Sequence, residues 1–451
     1  MFTPHTSQEI EEMLKAIGVN SIDDLFKKVP ESHRFPELDL PEPLMEMQIL
    51  DELNEIASAN ASADSLTSFL GAGAYNHYIP AAVDMLLRRG EFYTAYTPYQ
   101  PEVSQGTLQA IFEFQSLMKE LTGMDISNAS HYDGATATAE AANMAYHFFR
   151  GKRKKIVVSR AVNPQYRATL RTYMQGLDGV KVFGDDPEIG LNTKAKKFTD
   201  LIDGDTALVI VQYPDFFGRI IDYTNLVNIS HGQGALIAFV FNPTALGILK
   251  PPGAFDVDVA VGDGQPLGIP LSYGGPYLGI FTTKEKYVRK IAGRLVGETV
   301  DEEGQRAYVL TLTAREQHIR REKSTSNICT NQGLMALAAT IYLSLLGKKG
   351  FKQVANLCYQ KAHYTADQIS KIDGFDQIFC DTPFFHEFVI KTPKPVNMIQ
   401  SHLLEHWILG GYDLGKDYPE LKDHLLLAVT EKLSKVDIDD LVMTLQEVIH
   451  D

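Results

Sequence analysis

The chain has 451 residues, a formal charge of −15 and a hydrophobic content of 44%. This length predicts two or three domains, because a single core stops growing at about 250–300 residues. The composition is typical of a globular protein, and the acidic balance argues against a nucleic-acid-binding function. The main basic run, residues 152–155, precedes a strand-like segment and is interpreted as a turn.

The cysteines and the apolar stretches predict the compartment. The three cysteines, Cys329, Cys358 and Cys380, form no Cys-x-x-Cys pair, which suits a reducing compartment better than a disulfide framework. The best membrane candidate, Leu334 to Leu346, is too short to span a bilayer, and the N-terminal residues show no signal-peptide pattern. We therefore predict a cytoplasmic protein with no membrane segment.

The first sixty residues are predicted to form helices and an arm. Thr6 to Glu9 has the pattern of a capping box, which opens a helix that ends at Gly18, and a second helix begins at Ser21. Four prolines between residues 30 and 43 then predict an extended arm. The arm either embraces a partner subunit or wraps its own domain, and both interpretations are open.

The segment from Tyr93 to Pro101 combines tyrosines with prolines. Pro98 and Pro101 exclude a helix interior and a central strand, because proline fixes φ and lacks an N–H. Prolines at this spacing favour polyproline II, which repeats every three residues and would place Tyr93, Tyr96 and Tyr99 on one face. Such a row of phenols indicates a recognition surface.

The middle of the chain predicts an α/β sheet. Ser104 and Gly123 delimit one predicted helix, and a second, rich in alanine, covers residues 134–149. The strand candidates are Ile156–Ser159, Val180–Phe183, Ala207–Gln212, Ala235–Phe241, Val257–Val261 and Tyr277–Thr282. Most intervals are long enough for a crossover helix, but the last is rich in glycine and proline. We therefore expect a mostly parallel sheet whose final strand is antiparallel.

The remainder is predicted to be more helical. A long buried helix covers Asn331 to Leu346 and ends at Gly347 or Gly350. Beyond it, strands near 388–390 and 424–428 indicate a smaller α+β domain. The predicted organisation is therefore helices and an arm over residues 1–60, a large α/β domain over 61–346 and a small domain over 347–451.

Several motifs resemble one enzyme family. They are FLGAG at residues 69–73, YTAYTPYQPEVSQG at 93–106, LTGMDISNAS at 121–130 and TAREQHIRREKSTSNICTNQ at 313–332. They resemble glycine decarboxylase, the P-protein of the glycine cleavage system, which has fold type I of the pyridoxal-phosphate-dependent transferases. This fold implies a mostly parallel seven-stranded sheet with one antiparallel strand and a small C-terminal domain. The chain matches only the N-terminal half of the one-chain form, so it resembles subunit 1 (the α subunit) of the two-subunit form.

The resemblance implies three positions that would hold pyridoxal phosphate. A lysine that forms the Schiff base should follow the strand near 257–261, but Gln265 stands in that loop, and no lysine lies between Lys250 and Lys284. Asn242 stands where an acid should pair with the pyridine nitrogen. Asp133 stands at the helix start that should accept the phosphate. We therefore expect the cofactor on a lysine-bearing partner and not covalently on this chain.

The implied function is decarboxylation of glycine, with transfer of the aminomethyl group to the lipoyl arm of the H-protein. The implied assembly is α2β2, with subunit 2 (β) supplying the lysine. The candidates that would complete a site at the subunit interface are His77, Tyr93, Tyr96, Tyr99, Gln100 and Arg315. Two other hypotheses are a non-catalytic scaffold or regulatory subunit, and an independent enzyme that uses Lys250 or Lys284.

Overall fold

A computed structural model describes residues 4–450; Met1 to Thr3 and Asp451 lie outside the described part. The chain forms two compact units, Met1–Ala61 and Ser62–Asp451. The helices are α1 Ser7–Ile17, α2 Glu46–Ser58, α3 Ala81–Leu87, α4 Gly90–Tyr93, α5 Gln105–Thr122, α6 Gly134–Phe148, α7 Pro164–Met174, α8 Lys196–Thr199, α9 Thr224–Gly232, α10 Gln317–Arg320, α11 Gly333–Ile369, α12 Val396–Glu405 and α13 Lys435–His450.

The strands are mostly short, and the longest, β5, lies in the central sheet. They are β1 Thr67–Ser68, β2 Ile126–Ser127, β3 Lys155–Val158, β4 Lys181–Phe183, β5 Thr206–Tyr213, β6 Leu236–Phe241, β7 Val259–Asp263, β8 Gly279–Thr283, β9 Leu295–Val300, β10 Arg306–Thr311, β11 Asp376–Gln377, β12 Glu387–Lys391, β13 Ile408–Leu409, β14 Tyr412–Asp413 and β15 His424–Ala428.

The first unit confirms the predicted capping box. Thr6 Oγ1 accepts from the Glu9 backbone N–H, and Glu9 Oε2 accepts from the Thr6 backbone N–H at 2.7 Å. Gly18 ends α1 in the left-handed region, which glycine enters without steric cost. The second helix is only a 3₁₀ turn, Asp23–Phe26. Helix α2 was not predicted. The four prolines that end at Pro43 were interpreted as an extended arm, and no helix was expected after them.

The central sheet confirms the predicted topology. Its strand order is β2-β8-β7-β6-β5-β3-β4, and β8 runs antiparallel to both β7 and β2. All six predicted strands are present, with ends shifted by at most two residues. Strands β5 to β7 are almost continuously buried because helices cover both faces, which explains their unbroken apolar runs. The interval before β8 contains no crossover helix, as its glycines and prolines predict.

One prediction after Thr283 was wrong. The pattern there was interpreted as helical, but β9 and β10 pair as an antiparallel hairpin that packs against α5. The predicted end of the long helix at Gly347 is confirmed as a break: Gly347 has φ 57° and ψ −179°, and a second helical stretch, included in α11, continues from it to Ile369. Because glycine has no Cβ, it absorbs this break, and the chain resumes its helical path.

The C-terminal part carries a four-stranded sheet of order β11-β12-β15-β14, and the two strands predicted near 388 and 424 are confirmed. Helix α11 is long and apolar enough to cross a membrane by length and composition. Its buried side chains join two hydrophobic cores, for example Tyr342 beneath the central sheet and Ile369 in the C-terminal part, as in a core helix. The three-part domain division stays a prediction.

Candidate functional site

Gln265 follows β7, at the position where the fold implies a lysine. Its Oε1 accepts from the Tyr75 N–H at 2.8 Å, and its Nε2 donates to the carbonyls of Tyr75 and Ile269, both at 2.9 Å. The side chain is buried, so each of these bonds replaces one with water. Gln265 therefore uses its amide to hold the segment around Tyr75 against the end of β7.

Two carboxylates occupy the start of α6. Asp133 is the N-cap, and its Oδ1 accepts from the Thr136 N–H at 2.8 Å. Asp263 Oδ2 accepts from the Gly134 N–H at 2.9 Å, and its Oδ1 accepts from the Gln265 N–H at 2.9 Å. Burial raises the pKa of Asp263 to about 7, helped by the charge of Asp133 and opposed by the backbone hydrogen bonds. Two carboxyl groups of the chain itself thus accept hydrogen bonds from the backbone N–H groups at the helix start where a phosphate would bind.

Asn242 directly follows β6, where the fold implies an acid. Its Nδ2 donates to His386 Nε2 at 2.9 Å, and its Oδ1 accepts from the Thr244 N–H at 2.9 Å. Burial lowers the pKa of His386 to about 3, so this imidazole is neutral near pH 7. A cavity of about 30 Å³ lies between Asn242, Asp263 and Asn163, and a larger open cavity of about 520 Å³ shares Asn163 and Asp263 with it and extends past Asp133.

The two lysines nearest in sequence are engaged elsewhere. Lys284 Nζ lies 2.7 Å from Asp256 Oδ1, and Lys250 Nζ lies 4.0 Å from the centroid of the Phe255 ring. Together with the amide at 265 and the carboxylates at the start of α6, this arrangement does not fit pyridoxal phosphate bound covalently to this chain.

The predicted tyrosines surround a different cavity, which we call the tyrosine cavity. It measures about 190 Å³ and is lined by Phe92, Tyr93, Ala95, Tyr96, Thr97, Pro98, Thr107, Ala110, Ile111, Thr330, Asn331, Gly333, Leu334, Ala336 and Leu337. Tyr93 and Tyr96 are 68% and 86% exposed, so their hydroxyls are free to meet another molecule. The prediction of one polyproline II face was wrong, because Tyr93 ends helix α4 and Tyr99 does not line the cavity with Tyr93 and Tyr96.

Arg294 connects Tyr99 to the wall of the tyrosine cavity. Its Nη2 donates to the Tyr99 hydroxyl at 3.3 Å and to the Cys329 carbonyl at 2.7 Å, and its Nη1 donates to Thr330 Oγ1 at 3.0 Å. The side chain is only 2% exposed, and all of these acceptors are neutral. The sequence interpretation missed this residue, although an arginine between the apolar residues Ile291 and Leu295 was a usable signal.

Arg315 is half-buried rather than displayed on a helix. Its Nη1 donates to the Ile291 carbonyl at 2.6 Å, while Nε and Nη2 are buried with no hydrogen-bond partner among residues 4–450. Burial lowers the pKa of its guanidinium, opposed by the charge of Glu316. Only residues 317–320 are helical in this segment, and Glu316 is buried with Oε2 3.7 Å from His318 Nδ1. Gln100 is exposed.

His77 lies apart from the tyrosine cavity. It is buried, and its Nδ1 lies 2.6 Å from Glu431 Oε2, an oxygen that also accepts from the Cys358 thiol at 3.3 Å. Although burial opposes the shift, the hydrogen bond and charge of His77 lower the pKa of Glu431 to about 2. The structure therefore brings Tyr93 and Tyr96 together, with Tyr99 nearby, and leaves His77 in the interior; its role at an interface stays a prediction.

Comparison with known proteins gives a full-length match. The family profile of the glycine cleavage system P-protein matches residues 1–445. A probable glycine dehydrogenase (decarboxylating) subunit 1 from Thermomicrobium roseum is 52% identical, covering 99% of both chains, and a protein of the same name from Desulforamulus reducens is 51% identical, covering 97% of both.

Solved structures agree with the sequence comparisons. A crystal structure of glycine decarboxylase (P-protein) in inhibitor-bound form superposes with a TM-score of 0.90 at 43% identity, covering 99% of this chain and 100% of that one. A glutamate decarboxylase from Lactobacillus brevis has a TM-score of 0.68 at 13% identity, which supports the fold alone. With this fold and full-length similarity, the chain belongs to the P-protein family of the glycine cleavage system.

Proposed function

We propose that this chain is the lysine-free subunit of a two-subunit glycine decarboxylase and completes an active site whose cofactor the other subunit holds. Gln265 carries the proposal. Its amide occupies the lysine position and has its hydrogen bonds satisfied by Tyr75 and Ile269 within the chain. A side chain without an amine cannot form a Schiff base, so the reaction needs a lysine from a partner.

The proposed reaction takes glycine, releases carbon dioxide and passes the aminomethyl group to the lipoylated H-protein. The proposed assembly is α2β2 in the cytoplasm, with pyridoxal phosphate on the β subunit. Support comes from the family, from relatives named subunit 1, and from the three cysteines, which remain unpaired in the described structure.

The residues proposed to face the partner's site lie around the tyrosine cavity. The hydroxyls of Tyr93 and Tyr96 can donate to or accept from a substrate whose polar groups are an amine and a carboxylate. Tyr99 and Gln100 extend the same exposed segment. Arg315 has two unpartnered donors that suit a carboxylate, and because they are buried, binding would require the complex to uncover them. Their role is to orient and bind, because positioning a small substrate supplies a large part of a rate enhancement.

The first unit is proposed to bind the partner subunit. No residue between 4 and 61 is buried, and its large exposed apolar side chains include Ile17, Phe35, Leu38, Leu40, Met45, Met47, Leu53 and Ile56. Exposed apolar area of this extent marks an interaction site. Residues 35–61 carry seven acidic and no basic side chains, so the complementary surface should be apolar with a basic rim. Leu53→Asp should weaken assembly, whereas Ser58→Asp at the end of the same helix should not.

Reconstitution tests the proposal. This chain and a lysine-bearing homologous subunit are purified separately, mixed with pyridoxal phosphate and reduced with borohydride, and the adduct is located by mass spectrometry. We expect the adduct on the lysine-bearing chain, and glycine decarboxylation only in the mixture. A stoichiometric adduct on Lys250 or Lys284 of this chain would overturn the proposal and establish an independent enzyme.

A non-catalytic scaffold is the second candidate, and the burial of His77 favours it, since that residue cannot reach a partner without rearrangement. The same reconstituted complex distinguishes the two functions. If Tyr93→Phe and Tyr96→Phe leave both assembly and turnover unchanged, the chain is a scaffold. We also propose that the boundary between the large and the small domain lies near residue 346 in the sequence.

A further inference from the structure

Two histidines and a glutamate converge on one face of the C-terminal part. His402 lies in the last turn of α12, His406 is the C-cap residue that directly follows this helix, and Glu447 lies on α13, which packs against α12. The Nε2 atoms of both histidines are 3.8 Å from the same oxygen, Glu447 Oε2. The two imidazole rings are tilted by 43°, with centroids 5.0 Å apart.

None of these contacts is a hydrogen bond. A separation of 3.8 Å exceeds the hydrogen-bonding range, and His402 Nε2 is buried without a partner among residues 4–450. An imidazole nitrogen that is shielded from water and unpaired costs free energy. All three ligand atoms lie within 4.8 Å of one another, so a small ion between them would satisfy each.

The spacing and the atom types suit a transition metal. Zinc binds histidine nitrogen and carboxylate oxygen at about 2.0–2.2 Å, so two ligands of a tetrahedral ion lie about 3.4 Å apart. The observed 3.8 Å needs only a small side-chain rotation to reach this separation. The i, i+4 spacing of His402 and His406 is that of a recognised zinc-ligand pattern, here with the second histidine at the helix C-cap. Calcium and magnesium are disfavoured, because they prefer an all-oxygen shell.

We infer that His402, His406 and Glu447 form a zinc site at the α12–α13 contact, with the fourth position left to water. The ion would connect the last helix of the chain to α12 and so hold the C-terminal end in place. The site is separate from the tyrosine cavity and shares no residue with it. The inference does not rest on the proposed function.

The chain carries its own reporter for this site. Trp407 is the only tryptophan in the sequence, directly follows His406 and is 63% exposed. Zinc chloride is titrated into the full-length chain after treatment with a chelator, while Trp407 fluorescence and calorimetric heat are recorded. We expect one zinc per chain from both signals, with a dissociation constant in the micromolar range or tighter, and a rise of about 2 °C in the midpoint of thermal unfolding.

Substitutions locate the ion. His402→Ala and His406→Ala should each weaken binding at least about tenfold and abolish the thermal shift, because each removes one of three protein ligands. Glu447→Gln should weaken binding while leaving the fold intact, since its side chain is half-exposed. His424→Ala, on β15 and outside the cluster, is the matched control and should change neither reading.

Three outcomes overturn the inference: no saturable fluorescence change, binding only at millimolar zinc, or binding that persists unchanged in both histidine variants. The last outcome would include zinc bound by the buried group of His77, Cys358 and Glu431, which lies on other elements. Zinc bound there would give calorimetric heat without a change in Trp407 fluorescence.

Discussion

The ends of strands β6 and β7 and the tyrosine cavity are both rich in polar side chains, yet they use them in opposite ways. At the strand ends, Gln265 is 1% exposed and its hydrogen bonds are made within the chain. At the cavity, Tyr96 is 86% exposed. Polar groups that the chain satisfies itself stabilise the fold, whereas groups left exposed are available to a partner.

The contrast also shows how this chain uses the residues at the position where the fold implies a cofactor. A buried position must be filled by something, and here an amide and two carboxylates bind the backbone of neighbouring segments. The hydrogen bonds of these buried side chains connect β7, α6 and the segment around Tyr75. Each substitution below tests one side of this comparison.

Gln265→Lys should have the largest effect and should not create a cofactor site. The ammonium loses the acceptor for the Tyr75 N–H and brings a charge into a fully buried position, so we expect a loss of about 3–5 kcal/mol in the free energy of unfolding. Urea unfolding measures the loss. Gln165→Lys on the exposed start of α7 is the control, expected within about 0.5 kcal/mol. A stable variant that binds pyridoxal phosphate covalently would contradict the structural role of Gln265.

Glu387→Gln should remove part of the pH dependence of stability. Glu387 is buried, with one oxygen accepting from the Ala72 N–H and the other from the Tyr75 hydroxyl, and burial raises its pKa to about 7. Because the folded-state pKa lies above the unfolded value, the stability from this group is present below about pH 4.5 and is lost as pH rises to about 7.

Relative to the Glu387→Gln variant, the natural chain should therefore lose about 3 kcal/mol in the free energy of unfolding as the pH rises from 4.5 to 7. Thermal midpoints across this pH range measure the difference, and the exposed Glu188→Gln is the control. Parallel pH curves for the natural chain and the Glu387 variant would contradict the prediction.

Arg294→Lys should show that the exposed tyrosines depend on a buried support. Lysine keeps the charge but cannot reach Tyr99, Cys329 and Thr330 together, so we expect a loss of about 2 kcal/mol in stability and a lower turnover of the reconstituted complex. Arg289→Lys, exposed on the same segment, should leave both unchanged. Unaltered kinetics with reduced stability would limit Arg294 to a purely structural role.

Tyr96→Phe should have the smallest effect on stability and a specific effect on catalysis. Its hydroxyl is exposed, so the free energy of unfolding should change by less than about 0.5 kcal/mol. Loss of one hydrogen bond made in the transition state should lower kcat/KM of the reconstituted complex about tenfold. Tyr78→Phe, another exposed tyrosine, is the matched control. Equal kinetics in both variants would assign the tyrosine cavity to assembly rather than to catalysis.

Local patterns were sufficient for much of the fold. The caps at Thr6 and Asp133 follow from side chains three residues from their partners, and the central strands follow from apolar runs that need burial on both faces. The antiparallel direction of β8 follows from a glycine- and proline-rich interval that leaves no crossover helix. The absence of a lysine at 265 is likewise a property of the sequence alone.

Only the tertiary contacts decided which polar residues are buried and hydrogen-bonded within the chain and which stay exposed. The amide of Gln265 meets Tyr75 across 190 positions of sequence, and Arg294 meets Tyr99 across 195. The β9–β10 hairpin owes its strand conformation to packing against α5, which outweighs local propensity. Short-range periodicity and capping act within one or two turns, so the sequence determines elements; which polar group is buried and which stays exposed depends on what the folded chain places against it.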